Sequence, residues 1–121
     1  MKNEAAIKAR YLQDLLPIRL GGLAANLARG QSFSDHSKNR EVVKKIVEES
    51  KFFIEWTAAE AKLEVQAELA VLQRQLALWQ CGWNILWADE TLRQAVAIKA
   101  GQWANKLLEA SGLLSPAREA A

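Results

Sequence analysis

The sequence is poor in the residues that catalysis and metal binding draw on. Its 121 positions hold one histidine, one cysteine, one methionine, one tyrosine and two prolines. A single cysteine, Cys81, excludes an internal disulfide. A single histidine, His36, excludes a di-iron centre of the ferritin type, which takes a Glu-x-x-His pair from each of two helices. The Glu-x-x-Glu pairs with which all-helical nucleotide pyrophosphatases hold magnesium are missing too. Nucleophilic catalysis needs a base beside its nucleophile, and Cys81 has no histidine near it in the chain. The expectation is a protein with no catalytic residue, no cofactor and no metal.

Long apolar runs are also absent. The longest mostly apolar stretch, Leu20 to Ala28, is too short to span a bilayer and is broken by Asn26. No N-terminal stretch combines a charged start, an apolar run and a small-residue cleavage site. Nor does one sign of charge prevail, since the formal net charge is +2. A cytoplasmic, thiol-reducing setting without a membrane partner is expected. The charge is unevenly spread, however. Residues 1–45 carry nine Lys and Arg against four Asp and Glu, and residues 46–90 carry three against eight. Complementary parts of one helical assembly explain this plainly; a basic binding face is the sharper reading.

What the sequence does hold is helix. Val65, Leu69, Leu72, Leu76, Trp79, Trp83 and Leu86 alternate four and three apart, which places them on one stripe of an α-helix. Good helix formers surround them. Thr57-Ala-Ala-Glu60 matches a capping box, so this third helix is expected from about Ala58 to Trp87, about 45 Å at 1.5 Å per residue. A first main helix starts near Leu15 with Asp14 as N-cap, carries Leu16, Leu20, Leu23 and Leu27, and ends at Gly30. Gly21 and Gly22 within it suggest a close-lying backbone. Phe33 anchors the turn that follows. Ser37 or Asn39 caps a second helix with core positions Val43, Ile46, Val47, Ser50, Phe53, Ile54 and Thr57. Asp89 caps a fourth, with Leu92, Val96, Ala100, Trp103, Leu107 and Ala110 inside and Gly112 as its stop. Residues 1–14 form an N-terminal helical arm, residues 15–111 the body, and residues 112–121 a frayed tail from about Pro116. The reading is all-α: one domain, an antiparallel up-down-up-down four-helix bundle.

Four features invite a functional reading. Lys38, Arg40, Lys44 and Lys45 crowd the start of the second helix, where positive charge is unfavourable unless an anion sits there. They form a candidate phosphate or RNA-backbone site, although Lys44 and Lys45 each have a glutamate one turn on. Arg29 and His36 have the spacing of a pair in a family of helical ribonuclease toxins, but here it spans Gly30 and a turn. Trp79, Trp83 and Trp87 recur at one-turn spacing, and with no axial histidine beside them they read as core. Finally, Leu78, Cys81, Ile85 and Ala88 form a second stripe opposite the seam of the third helix, and Phe52 and Trp56 lie about half a turn from the core set of the second. Two such outer patches lower solubility unless covered. The hairpin at Thr57 sets them about 30 Å apart, so a two-fold dimer is expected to pair them. The rival expectation is that the arm, with Ile7, Tyr11 and Leu12, folds over one of them.

The runs Leu20-Gly-Gly-Leu-Ala-Ala-Asn-Leu-Ala-Arg29, Ser32-Phe-Ser-Asp35 and Glu49-Ser-Lys-Phe-Phe-Ile-Glu-Trp-Thr57 resemble a small, uncharacterised family of four-helix-bundle proteins of cyanobacteria. The likeness covers roughly residues 16–110 and implies a fold and a cytosolic location, with no activity or cofactor attached. The architecture also resembles that of helical-bundle proteins encoded within ribosomal RNA intervening sequences. The expected role is a non-enzymatic interaction module that forms a homodimer or meets an unidentified protein partner. An RNA- or phosphate-binding module is the alternative.

Overall fold

The computed structural model describes residues 3–113. Among them the regular elements are helices, with no strand. They are α1 (Glu4–Leu12), α2 (Leu16–Phe33), a 3-10 turn (Ser37–Asn39), α3 (Arg40–Thr57), a second 3-10 turn (Ala58–Glu60), α4 (Leu63–Cys81), α5 (Trp83–Ala88) and α6 (Glu90–Ser111). No helix among the described residues is long and apolar enough to cross a membrane. The tail expected from Pro116 lies outside the described residues.

The expected seam builds the core. Leu69, Leu72 and Leu76 of α4 are fully buried, and Trp79, Trp83 and Trp87 continue them. Leu20, Leu23 and Leu27 of α2, Val43, Val47 and Ile54 of α3, and Val96, Trp103 and Leu107 of α6 close around that line. The most extensive contact in the molecule is between α2 and α6. Small residues allow it. A Cβ on Gly101 would stand 2.6 Å from the Gln31 side chain, and one on Gly21 would stand 2.9 Å from Leu113 Cδ1. Gly21 therefore admits a side chain rather than a backbone, and Gly22 faces open space. On the α3 side of α2, Asn26 is buried: its Nδ2 donates to Ile46 O at 3.3 Å and to Ser50 Oγ at 3.0 Å. That amide is how a polar residue sits inside an apolar stretch, since a buried donor left unpaired would cost about 1–3 kcal/mol.

Several boundaries differ from the sequence reading, each for a local reason. The first main helix does not stop at Gly30. It continues to Phe33, because Gly30 is a packing glycine whose Cβ would meet Ile46 Cγ2 at 3.3 Å. Phe33 does not anchor the turn and is 41% exposed; buried Ser34 takes that place, its Oγ bonded to Gly30 O. Leu15, not Asp14, occupies the N-cap of α2. Asn39 precedes α3, but its amide donates to Phe33 O rather than capping the helix. Leu92 faces outward, and Ala110 is only partly buried. The third helix is two helices, parted at Gly82. Glycine weakens a helix interior by about 1 kcal/mol against alanine. Beyond the break, Trp83 and Trp87 stack at 5.3 Å, and Trp87 Nε1 donates to Ser37 O. Asp89 and Gly112 act as expected: Asp89 Oδ1 accepts from Leu92 N at 3.0 Å, and Gly112 leaves α6 in the left-handed region at φ 77°.

Thr57 and Glu60 do not form a capping box either. Both are recruited by a buried arginine and its neighbour. Arg19 is only 4% exposed. Its Nε donates to Asp14 O, one terminal nitrogen bonds Trp56 O, and both terminal nitrogens meet the Glu60 carboxylate at 2.8 Å. Tyr11 Oη donates to Arg19 O at 2.9 Å and lies 3.0 Å from Thr57 Oγ1. The chain from Thr57 to Lys62 is thus held in a 3-10 turn and an extended step, and α4 starts only at Leu63.

Two outcomes follow from this packing. Leu72→Ala and Leu76→Ala each cost about 2–5 kcal/mol in denaturant unfolding, the usual range for a core cavity, while Gln75→Ala leaves the midpoint in place. The second concerns acid. Hydrogen bonds from Arg19, together with its charge, hold the Glu60 carboxyl below the ordinary carboxylate range. A carboxyl lowered by folding contributes stability above its unfolded value and loses it as pH falls through the folded one. The stability gap between wild type and Glu60→Gln is therefore widest near neutral pH and closes on acidification, as unfolding curves at a series of pH values will show.

Candidate interaction surface

A helix packed on one side presents its other side to water, and that side is normally charged. The outer face of α4 and α5 departs from this. Val71, Leu78 and Ile85 follow at seven-residue intervals and are 59%, 56% and 73% exposed. Cys81 and Ala88 are exposed between and after them. From Gln75 to Ala88 no residue carries a charge, and Arg74 is the single charge between Glu68 and Asp89. Trp79, Trp83 and Trp87 of the same segment point the other way, into the core. One stretch therefore serves two apolar faces. The outer stripe follows from the seam by subtraction, and Val71, before Arg74, extends it beyond the expected Leu78, Cys81, Ile85 and Ala88.

The second expected patch lies closer to the first than the hairpin arithmetic gives. Arg40 reaches Asn84 and Glu41. Lys44 shares a depression of about 320 Å³ with residues from Gln80 to Ile85. Lys51 Nζ donates to Gln80 Oε1 at 2.7 Å, and Gln73 Nε2 donates to Lys51 O at 3.2 Å. Phe52 thus stands beside the middle of α4, in a groove of about 280 Å³ lined by Glu48, Lys51, Glu55, Gln73 and Gln80. The separation of about 30 Å is corrected by the late start of α4 at Leu63. Starting there puts Gln73 and Gln80, not Glu60 and Glu64, level with Lys51.

Trp56, the other member of that patch, is partly covered from within the chain. The Tyr11 ring stacks on Phe53 at 4.3 Å and lies 5.9 Å from Trp56. The Phe52 ring lies 5.7 Å from that of Trp56, centre to centre. Phe52 and Trp56 are half-buried, whereas Leu78, Cys81 and Ile85 are exposed. Burial pushes the Tyr11 phenol above its ordinary value, so it keeps its proton as a donor through the neutral range. Of the arm, Tyr11 makes this contact and Leu12 stays exposed.

The basic group lies at the start of α3 and in the 3-10 turn before it. Lys38, Lys44 and Lys45 are exposed, and the Arg40 guanidinium is engaged by Glu41 and Asn84. Arg29 lies on α2 and His36 in the turn beyond it, both exposed. Among the described residues no three His, Cys, Asp or Glu side chains gather as a metal site would require. No protein-family model, curated protein or solved structure matches the chain.

The tryptophans report on this surface. Trp79, Trp83, Trp87 and Trp103 are buried and Trp56 is half-buried under Tyr11. Iodide therefore quenches a minor fraction of the emission, and Tyr11→Ala raises that fraction by uncovering Trp56. A fraction unchanged in Tyr11→Ala would show that the ring does not shield it.

Proposed function

We propose that the chain is a non-enzymatic helical module whose role is association with a second copy of itself. In this reading α2, α3, the α4–α5 pair and α6 make an up-down-up-down bundle, supported by the contacts of α2 with α3 and α6, of α3 with α4, and of α5 with α6. The resemblance to cyanobacterial bundle proteins is in keeping with that architecture. The observation that carries the association is the uncharged outer face of α4 and α5, with Leu78 and Ile85 both more than half exposed. An apolar, charge-free face fits a partner face of the same kind, and the chain supplies one. Seven-residue spacing of Val71, Leu78 and Ile85 is also the repeat of a two-helix seam. An exposed free thiol at Cys81 fits a reducing compartment, the cytosol.

Sedimentation equilibrium tests the reading. The wild type is a dimer at micromolar concentration, and Ile85→Glu is a monomer of unchanged helix content. A wild-type monomer in that range ends the proposal. Binding of mixed RNA that weakens steeply with salt, as phosphate contacts do, would move the function to Lys38, Arg40, Lys44 and Lys45.

A further inference from the structure

We propose that the two copies meet antiparallel across the outer face of α4 and α5, with the two-fold axis at Cys81 and Gly82, so that Arg74 of each copy faces Asp89 of the other. The pairing rests on the self-association reading and gives it an orientation and a register. The apolar stripe makes two such faces compatible, and its flanking charges decide which way round they lie.

The stripe has the same spacing read from either end. Arg74 stands four residues before Leu78, Asp89 stands four residues after Ile85, and seven residues separate Leu78 from Ile85. The midpoint falls between Cys81 and Gly82, with Arg74 and Asp89 each about 11 Å from it at 1.5 Å per residue. Arg74, Leu78, Cys81 and Ile85 share one side of the helix, and all four are exposed, as is Asp89. A two-fold axis at that midpoint, perpendicular to the face, exchanges the two halves. The α4 helix of one copy then runs along α5 of the other. Leu78 of each copy lies on Ile85 of its partner, and one Arg74–Asp89 pair closes each end. Cys81 and Gly82, at the axis, are both small and let the backbones approach.

The charges select this arrangement. Arg74 is the single charge between Glu68 and Asp89, and among the described residues its side chain makes no hydrogen bond or ion pair. Asp89 accepts from Leu92 N with one oxygen, and its other oxygen is available to a donor. A parallel pair in register sets Arg74 against Arg74 and Asp89 against Asp89. Antiparallel pairs slid so that Leu78 lies on Leu78, or on Cys81, set Arg74 against Gly82 or Ile85. A cation covered by an apolar partner and left unpaired is strongly unfavourable. Of these arrangements, the antiparallel one centred between Cys81 and Gly82 covers both large apolar residues and neutralises both charges.

Cross-linking reads the orientation on the full chain. Leu78→Cys and Ile85→Cys are made separately in a Cys81→Ser background, and each is oxidised alone and mixed with the other. Disulfide-linked dimers form in the mixture and in neither variant alone. The two copies of position 78 are about 10 Å apart along the axis, beyond the roughly 7 Å between Cα atoms that a disulfide spans. Sedimentation of Arg74→Gln and Asp89→Asn reads the charges, the second variant keeping a good N-cap for α6. Each weakens the dimer by about three- to tenfold with helix content unchanged by circular dichroism, whereas either would tighten a parallel pair by removing like-charge repulsion. Variants that link to themselves, a dimer that links in no sample, or charge variants that leave the dimer unchanged or tighter overturn this pairing while self-association stands. A wild-type monomer overturns both proposals.

Discussion

The Arg19 guanidinium lies at the meeting point of four segments and cannot stay charged there without partners. Its neutralisation by Glu60, with backbone oxygens of Asp14 and Trp56 taking further N–H groups, fixes where each segment goes. The loop before α2, the end of α3 and the turn into α4 are tied to one side chain. Tyr11 extends the tie to the arm through Arg19 O and Thr57. Arg19 is raised above its ordinary value chiefly by its bonds to Glu60, so its charge is permanent and the acid partner is the member that titrates. This pairing ties the end of α3 to the turn into α4, and the bonds of Lys51 to Gln73 and Gln80 hold the two helices level further along.

The opposite end is organised by rings rather than by charge. Trp87 is held by its N–H on Ser37 O, stacked on Trp83 and covered by the Arg93 guanidinium at 5.5 Å. Arg93 also donates to Trp87 O, which satisfies a carbonyl at the end of α5. The break at Gly82 lies between Trp79 and these two rings. Ile85 stays on the outer stripe across the break, as its spacing from Leu78 predicts.

Periodicity carried most of the fold. Leu69, Leu72 and Leu76 are buried because apolar spacing over many turns has one solution, a helix with that stripe inward. Caps were less legible, since a cap is a competition among nearby donors and acceptors. Thr57 and Glu60 have the right spacing for a capping box, but Tyr11 and Arg19, distant in sequence, offer them better partners. Gly30 and Gly82 show the same ambiguity. One admits Ile46 within a continuing helix and the other ends α4, and only the neighbours distinguish them. The outer stripe of Leu78, Cys81 and Ile85 could be read directly, because exposed apolar residues stand out once the seam is assigned. The groove at Phe52 could not, because it depends on the level at which α3 meets α4.

Pairing α2 with α6 has a consequence for a chain still being made. The main partner of α2 is the last helix of the described chain, so the α2–α6 part of the core closes late. Until Glu90–Ser111 has emerged, the apolar stripe of α2 and the rings of Trp79, Trp83 and Trp87 lack part of their cover. The stretch from Gln75 to Ala88 has no charge to discourage contacts with other nascent chains. Chains in which α6 has not yet formed thus carry more uncovered apolar surface than the finished fold. Before α6 covers its inner face, this stretch is apolar on both sides and carries no charge on either.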